Sequence, residues 1–138
     1  MKITSIATSL LVFALAVPAF AAVTSSAVTQ TEITCVGNAV SARESTLDSG
    51  ISTYTQSVQS AYSTRTSALQ QAYGTTRGVR AGIKAAWSAF TASMKSASKA
   101  WRTTRAGAWS QFGSAVKACK APSTISDSSN SSSEVSGQ

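Results

Sequence analysis

The chain lacks histidine entirely, and its 138 residues include only five acidic residues and two cysteines. Two thiols without histidine cannot complete a four-ligand zinc site, and a cysteine nucleophile has no histidine to act as its base. The acidic residues are too scattered for paired acid–base catalysis, since only Glu44 and Asp48 stand one helical turn apart. We therefore predict that the protein is not an enzyme and that it holds no metal or cofactor.

The first 21 residues have the pattern of a secretory signal peptide. Lys2 supplies a positive start, residues 3–17 are mostly apolar and uncharged, and the segment ends in an A-x-A cleavage site at Ala21. The alternative is a membrane anchor, but the apolar run is shorter than the roughly 20 residues that a spanning helix needs. We expect cleavage near Ala21 and export to the periplasm, the cell surface or the medium.

Composition divides the remaining chain into three parts. An N-terminal segment, residues 22–34, is weakly patterned, and a folded domain is predicted over residues 35–121. Residues 122–138 form a serine-rich tail that has almost nothing to bury, so we expect this tail to be disordered.

The folded domain consists of near-repeats of eleven residues, and eleven residues make three turns of α-helix. Residues at this spacing share one helix face, whereas the alternation typical of strands does not persist. The bulky apolar residues form four such rows: Val36, Leu47, Val58 and Leu69; Val40, Ile51, Tyr62 and Tyr73; Val79, Phe90, Trp101 and Phe112; and Ile83, Met94 and Val116. We predict an all-α domain in which these rows form the core.

The rows change phase by one residue between Leu69 and Val79, which predicts a turn there. We expect Gly74 to take the left-handed conformation that ends a helix, and Thr75 or Thr76 to cap the next one. The sequence thus predicts a long antiparallel helical hairpin. Its predicted parts are helix 1 at about 35–73, the turn at 74–78 and helix 2 at about 79–120.

Cys35 and Cys119 lie almost equally far from this turn, so a hairpin brings both thiols to the same end. A disulfide needs Cα atoms within about 7 Å, which this register allows, and exported cysteine pairs usually become oxidised. We predict that one Cys35–Cys119 disulfide closes the hairpin. The alternative is a continuous helical rod with disulfides between chains, which the glycines of the turn disfavour.

Positive charge is concentrated in the second half of the domain. Residues 77–120 carry nine Lys or Arg and no Asp or Glu, and a cationic face of this kind attracts anionic polymers and surfaces. The candidate anion-binding residues are Arg77, Arg80, Lys84, Lys95, Lys99, Arg102, Arg105, Lys117 and Lys120. Trp87, Trp101 and Trp109 interleave with them as candidate stacking residues. The alternative is that this face only keeps the protein soluble.

A further face of helix 2 is small and uncharged, and small faces let helices approach closely. Its residues are Gly82, Ala85, Ala89, Ala92, Ser96, Ala100, Thr103, Gly107, Ser114 and Ala118. This face could form a homodimer, although alanine is also simply a good helix former.

Three phrases of helix 2, Ile83-Lys84-Ala85-Ala86-Trp87, Ala100-Trp101-Arg102 and Ala108-Trp109-Ser110-Gln111-Phe112, lie between two framing cysteines. Over residues 35–120 the chain resembles uncharacterised small exported bacterial helical proteins rich in Ala, Lys, Arg and Trp. It departs from them in carrying Ser and Thr where more charged residues are expected. The resemblance implies an exported helical protein and supplies no catalytic residues.

We therefore expect a non-enzymatic, exported helical protein whose basic second helix binds nucleic acid backbone, anionic glycan or lipid head groups without sequence specificity. The alternative is a structural or chaperone-like envelope protein that associates with itself. A third hypothesis is membrane disruption by the Trp- and Lys-bearing helix once the hairpin opens. We expect no small-molecule substrate.

Overall fold

A computed structural model describes residues 27–135, and within this range the chain is helical and contains no strand. Helix α1 spans Gln30–Tyr73, and helix α2 spans Val79–Ala118 and packs antiparallel against α1. Two short 3-10 turns, Ser123–Ile125 and Ser128–Asn130, lead into a short helix α3, Ser131–Val135. The predicted all-α hairpin is confirmed. The predicted signal peptide lies outside the described residues.

Helix α1 begins at Gln30, five residues before the predicted start. The cause is a capping box, in which the Thr29 hydroxyl accepts the backbone N–H of Glu32 and the Glu32 carboxylate accepts the backbone N–H of Thr29 at 2.7 Å. The backbone and hydroxyl hydrogen bonds from Thr29 lower the pKa of Glu32. Residues 30–34 of the predicted N-terminal segment are therefore the first residues of the helix.

The turn occupies residues 74–78 as predicted, but its conformations differ from those expected. Gly74 is right-handed with φ −79°, and the left-handed residue is Gly78 with φ 74°, which caps α2. Neither Thr75 nor Thr76 caps α2, which has no side-chain cap, and the Thr75 hydroxyl donates to the carbonyl oxygens of Ala72 at 3.1 Å and Arg77 at 3.0 Å. The chain therefore reverses through the glycine next to α2.

The closest contact between α1 and α2 is made by small residues. The buried alanines recur at 11-residue spacing as Ala39, Ala61 and Ala72 in α1 and as Ala86, Ala97 and Ala108 in α2. Gly50 fills the remaining position of the α1 row, where a Cβ would come within 2.8 Å of Trp101 and Thr104. The two helices therefore approach closely along these rows, and bulkier side chains flank the contact.

The bulky rows are only partly in the core. Val36 and Leu47 are buried, but Ile51 and Tyr62 of the second predicted row are 45% and 47% exposed, and Tyr73 is exposed further. These side chains lie on the flank of α1 because the alanine row occupies the line of contact. The largest fully buried side chain is Phe112 of α2.

The predicted disulfide is confirmed within one chain: Cys35 and Cys119 are bonded, with Cα atoms 5.8 Å apart. This excludes the alternative of a rod linked to other chains through these cysteines, and it is compatible with an oxidising, exported location. Closing a loop of this length stabilises the fold by roughly 4 kcal/mol in the chain-entropy model. Neither long helix, nor any other helix among residues 27–135, meets the length and hydrophobicity needed to cross a membrane.

The serine-rich tail was predicted to be disordered, but it is folded as far as residue 135. Ile125 packs against the buried cluster at the disulfide end, next to Phe112 and Val116. Asp127 and Glu134 bind side chains of the hairpin, as described below. The tail therefore folds back along the hairpin because one apolar and two acidic side chains find specific partners there.

The close helix contact predicts opposite effects for two glycine substitutions in α2. A Cβ at Gly82 would lie 2.8 Å from the Cβ of Ala72, whereas nothing lies within 4 Å of a Cβ at Gly107. We expect Gly107→Ala to raise the free energy of unfolding by about 0.5–1 kcal/mol through helix propensity. Gly82→Ala should lower it, since overpacking costs about 1–3 kcal/mol. Urea denaturation followed by circular dichroism measures both, and a stabilising Gly82→Ala would contradict the close approach.

Candidate anion-binding surface

Eight of the nine candidate anion-binding residues are exposed. Six of these lie within α2, and at 100° per residue they occupy an arc of about 100° on one side of the helix. They are Arg80, Lys84, Lys95, Lys99, Arg102 and Lys117. Arg77 lies in the turn, and Lys120 follows the end of α2 in a left-handed conformation. We call these eight residues the basic face.

The ninth candidate, Arg105, does not belong to this face. It is only 4% exposed, and its guanidinium carbon lies 5.6 Å from the ring centre of Trp101. Its position on α2 points it toward the hairpin rather than toward solvent, because Arg105 shares an 11-residue row with Met94 and Val116 of the predicted core. Arg105 is therefore buried in the hairpin and separate from the other eight candidate anion-binding residues.

The basic face is densest in the middle of α2. Lys95, Lys99 and Arg102 follow one another at one-turn spacing, so their Cα atoms span only about 10 Å along the helix axis. Lys84 and Lys95 also line a shallow groove beside the indole of Trp87. This part of α2 combines several cations with an exposed aromatic ring.

The three tryptophans have different surroundings. Trp87 is 48% exposed, whereas Trp101 and Trp109 are half-buried. Trp101 packs beside Gly50 in the helix contact, and the indole N–H of Trp109 donates to the Glu134 carboxylate at 2.6 Å. Of the three predicted stacking residues, Trp87 is the one whose ring is largely open to a ligand.

Trp109 belongs to an arginine–aromatic cluster at the disulfide end of the hairpin, which we call the Arg43 cluster. The guanidinium carbon of Arg43 lies 4.1 Å from the ring centre of Trp109 and 4.4 Å from that of Phe112. The two rings meet edge to face at 5.7 Å. Cation–π contact with both rings stabilises this buried guanidinium and leaves its N–H edge for acceptors.

Carboxylates from α1 and from the tail bind that edge. Arg43 donates two hydrogen bonds to Asp127, at 2.8 and 2.9 Å, and its Nε donates to Glu44 at 2.8 Å. The hydrogen bond from Arg43 holds the pKa of Asp127 below its usual value, and the same contact raises the pKa of Arg43. A two-point contact with a carboxylate fixes both the position and the orientation of the tail.

A second cluster nearer the turn, the Arg65 cluster, repeats this arrangement. The guanidinium carbon of Arg65 lies 4.6 Å from the ring centre of Trp87 and 4.4 Å from that of Phe90. These two rings meet edge to face at 5.8 Å, and the ring of Tyr62 lies 4.8 Å from the same guanidinium. Neither cluster was predicted, because the sequence around an isolated arginine of α1 does not indicate which rings of α2 will face it.

Within residues 27–135, no three His, Cys, Asp or Glu side chains come together as a group that could hold a metal ion. The grooves along the hairpin are open and are lined mainly by Ser, Thr, Ala and aromatic side chains. The absence of enzymatic activity stays a prediction.

The Arg43–Asp127 pair predicts how the tail responds to pH. Because Arg43 lowers the pKa of Asp127, the contribution of this pair is present above the usual pKa of 3.8 and is lost as pH falls through the lower value in the folded protein. We expect the side-chain carboxyl resonance of Asp127 to titrate with a midpoint below 3.8. Carbon-13 NMR of labelled protein measures this midpoint, and a midpoint at or above 3.8 would contradict the ion pair.

Asp127→Asn should release the tail and so shift the indole N–H resonance of Trp109 at neutral pH, since an amide cannot replace the charge-assisted contact. Asp48→Asn is the matched control, because Asp48 is exposed on α1 and lies outside the cluster. An unchanged Trp109 resonance in Asp127→Asn would show that the ion pair does not hold the tail.

Comparison of the chain with models of protein families, with curated proteins and with solved structures finds no match. The resemblance to small exported bacterial helical proteins stays a prediction.

Proposed function

We propose that the protein is a non-enzymatic, exported helical hairpin whose basic face binds an anionic polymer or surface through its charged backbone or head groups. The observation that carries this proposal is the one-sided row of exposed cations along α2. The row begins at Arg77, ends at Lys120 and contains no carboxylate from its own segment. Its ligand would be recognised by charge density rather than by sequence.

The shape of the hairpin supports this function. Helix α2 is about 60 Å long, so the basic face offers an extended line of charge rather than a pocket. The disulfide and the close alanine contact keep the two long helices together, so the cations retain their spacing when a ligand binds. Trp87 adds an exposed ring beside Lys84 and Lys95, where a base, a sugar or a lipid glycerol region could pack.

A structural, self-associating role is the second candidate. The predicted dimer face of α2 is largely exposed in the single chain, with Ala85, Ala89 and Ala92 all open to solvent. Gly82 is an exception, since it packs against Ala72 of α1. Sedimentation velocity from micromolar to millimolar protein tests this role, and a monomer throughout that range contradicts it.

Polyanion binding predicts a defined salt dependence. We expect the protein to bind duplex DNA, heparin or vesicles containing phosphatidylglycerol at low salt, and binding to weaken as salt rises. For duplex DNA, Lys99→Gln should reduce the slope of log K against log salt by about 1, and the double variant Lys95→Gln/Lys99→Gln by about 2. Fluorescence anisotropy of a labelled duplex measures these slopes.

The matched control is Arg65→Gln, which removes one positive charge from α1 at a guanidinium that lies against rings and is not one of the eight residues of the basic face. Its DNA affinity and salt slope should stay close to those of the unmodified protein. Binding that is absent at low salt with all three probes, or that is equally weakened by Arg65→Gln and Lys99→Gln, would contradict a role for the basic face.

A further inference from the structure

The Arg43 and Arg65 clusters share one arrangement of a guanidinium, a tryptophan and a phenylalanine, but they differ in what covers them, and Tyr62 adds a third ring at Arg65. They are offset by two 11-residue repeats on each helix, so Arg65 corresponds to Arg43, Trp87 to Trp109 and Phe90 to Phe112. The distances from guanidinium to rings agree within half an ångström between the two. Whatever binds one cluster therefore indicates the chemistry that fits the other.

The occupant of the Arg43 cluster is an acidic, serine-rich peptide segment, the molecule's own tail. Asp127 binds the N–H edge of Arg43, and Glu134 accepts the indole N–H of Trp109. These two carboxylates are about seven residues apart in the sequence, and serines fill most of the positions between them. Two side chains of the cluster, one guanidinium and one indole, thus recognise two carboxylates of one segment.

The Arg65 cluster has the same two donors but lacks these acceptors. Thr66 stands where the Arg43 cluster has Glu44, and no carboxylate of residues 27–135 forms an ion pair with Arg65. The Nε of Arg65 is buried without an acceptor, and the ring of Trp87 is 48% exposed. Lys84 and Lys95 line the groove beside that ring and add positive charge.

We propose that the Arg65 cluster is a binding site for an acidic segment of a partner protein. The segment carries two carboxylates about seven residues apart, one for the guanidinium of Arg65 and one for the indole N–H of Trp87. This recognition is local and depends on stacking and hydrogen bonds, which distinguishes it from polyanion binding along the whole basic face, although Lys84 and Lys95 of that face line the same groove.

The segment comes from a separate partner rather than from a copy of this chain. The tail of each molecule is already held at its own Arg43 cluster, at a high effective concentration set by the covalent link. A tail that moved to the Arg65 cluster of another copy would give up contacts equal to those it gained. Exchange between copies therefore provides no net stabilisation.

A synthetic peptide with the sequence of residues 122–135 is a suitable probe, because it carries both carboxylates at the required spacing. We expect titration of the 15N-labelled, oxidised full chain at about 150 mM salt to shift the indole N–H resonance of Trp87 and to leave that of Trp109 in place. Arg65→Gln should weaken this binding by roughly tenfold or more, as should replacing the aspartate of the peptide by asparagine.

The matched control is Lys99→Gln, which removes one charge from the basic face and should leave peptide binding unchanged. Equal weakening by Lys99→Gln would reduce the effect to general charge attraction and overturn the proposal. A shift of Trp109 instead of Trp87 would mean that the peptide only exchanges with the tail, and no shift at millimolar peptide would also overturn it. Lys99→Gln should weaken DNA binding and Arg65→Gln should weaken peptide binding. The two proposals can therefore be contradicted separately.

Discussion

The structure depends on the antiparallel register of α1 against α2, and three contacts along the hairpin set the same register. Gly50 lies as far along α1 from Cys35 as Thr104 lies back along α2 from Cys119, and the contact of Ala72 with Gly82 obeys the same relation. The disulfide closes one end and the glycine turn closes the other. Between them, small residues at each contact allow no slippage, because a shift in register would place bulky side chains against the backbone.

This register turns a sequence repeat into a spatial repeat. Because both helices carry 11-residue rows and run antiparallel, two arginines of α1 that lie two repeats apart each meet the same pair of rings of α2. The tail breaks the symmetry, since its docking at the disulfide end covers the Arg43 cluster and leaves the Arg65 cluster open. A chain of low complexity thereby acquires two distinct ends.

The hairpin, its turn and its disulfide could be predicted because their signals are local or symmetric: the phase shift before Val79 and the even placement of two cysteines. The spacing of Thr29 and Glu32 is that of a capping box and marks the start of α1, but the prediction placed that start at about residue 35. The alanine contact could not be separated from ordinary helix propensity, because alanine favours helices at any position. Docking of the tail gave no signal in composition, since its partners exist only after the rings of α2 assemble around Arg43.

The choice of cation follows from these surroundings. The three cations that lie against rings, Arg43, Arg65 and Arg105, are all arginines, whereas every lysine of the described residues is on the basic face. A guanidinium is weakly hydrated and planar, so rings can cover its faces while its N–H edge still binds a carboxylate, which a strongly hydrated ammonium cannot do as well. Stacking therefore does not neutralise Arg43 or Arg65. It places each guanidinium against its rings, and at Arg43 the N–H edge binds an acidic segment.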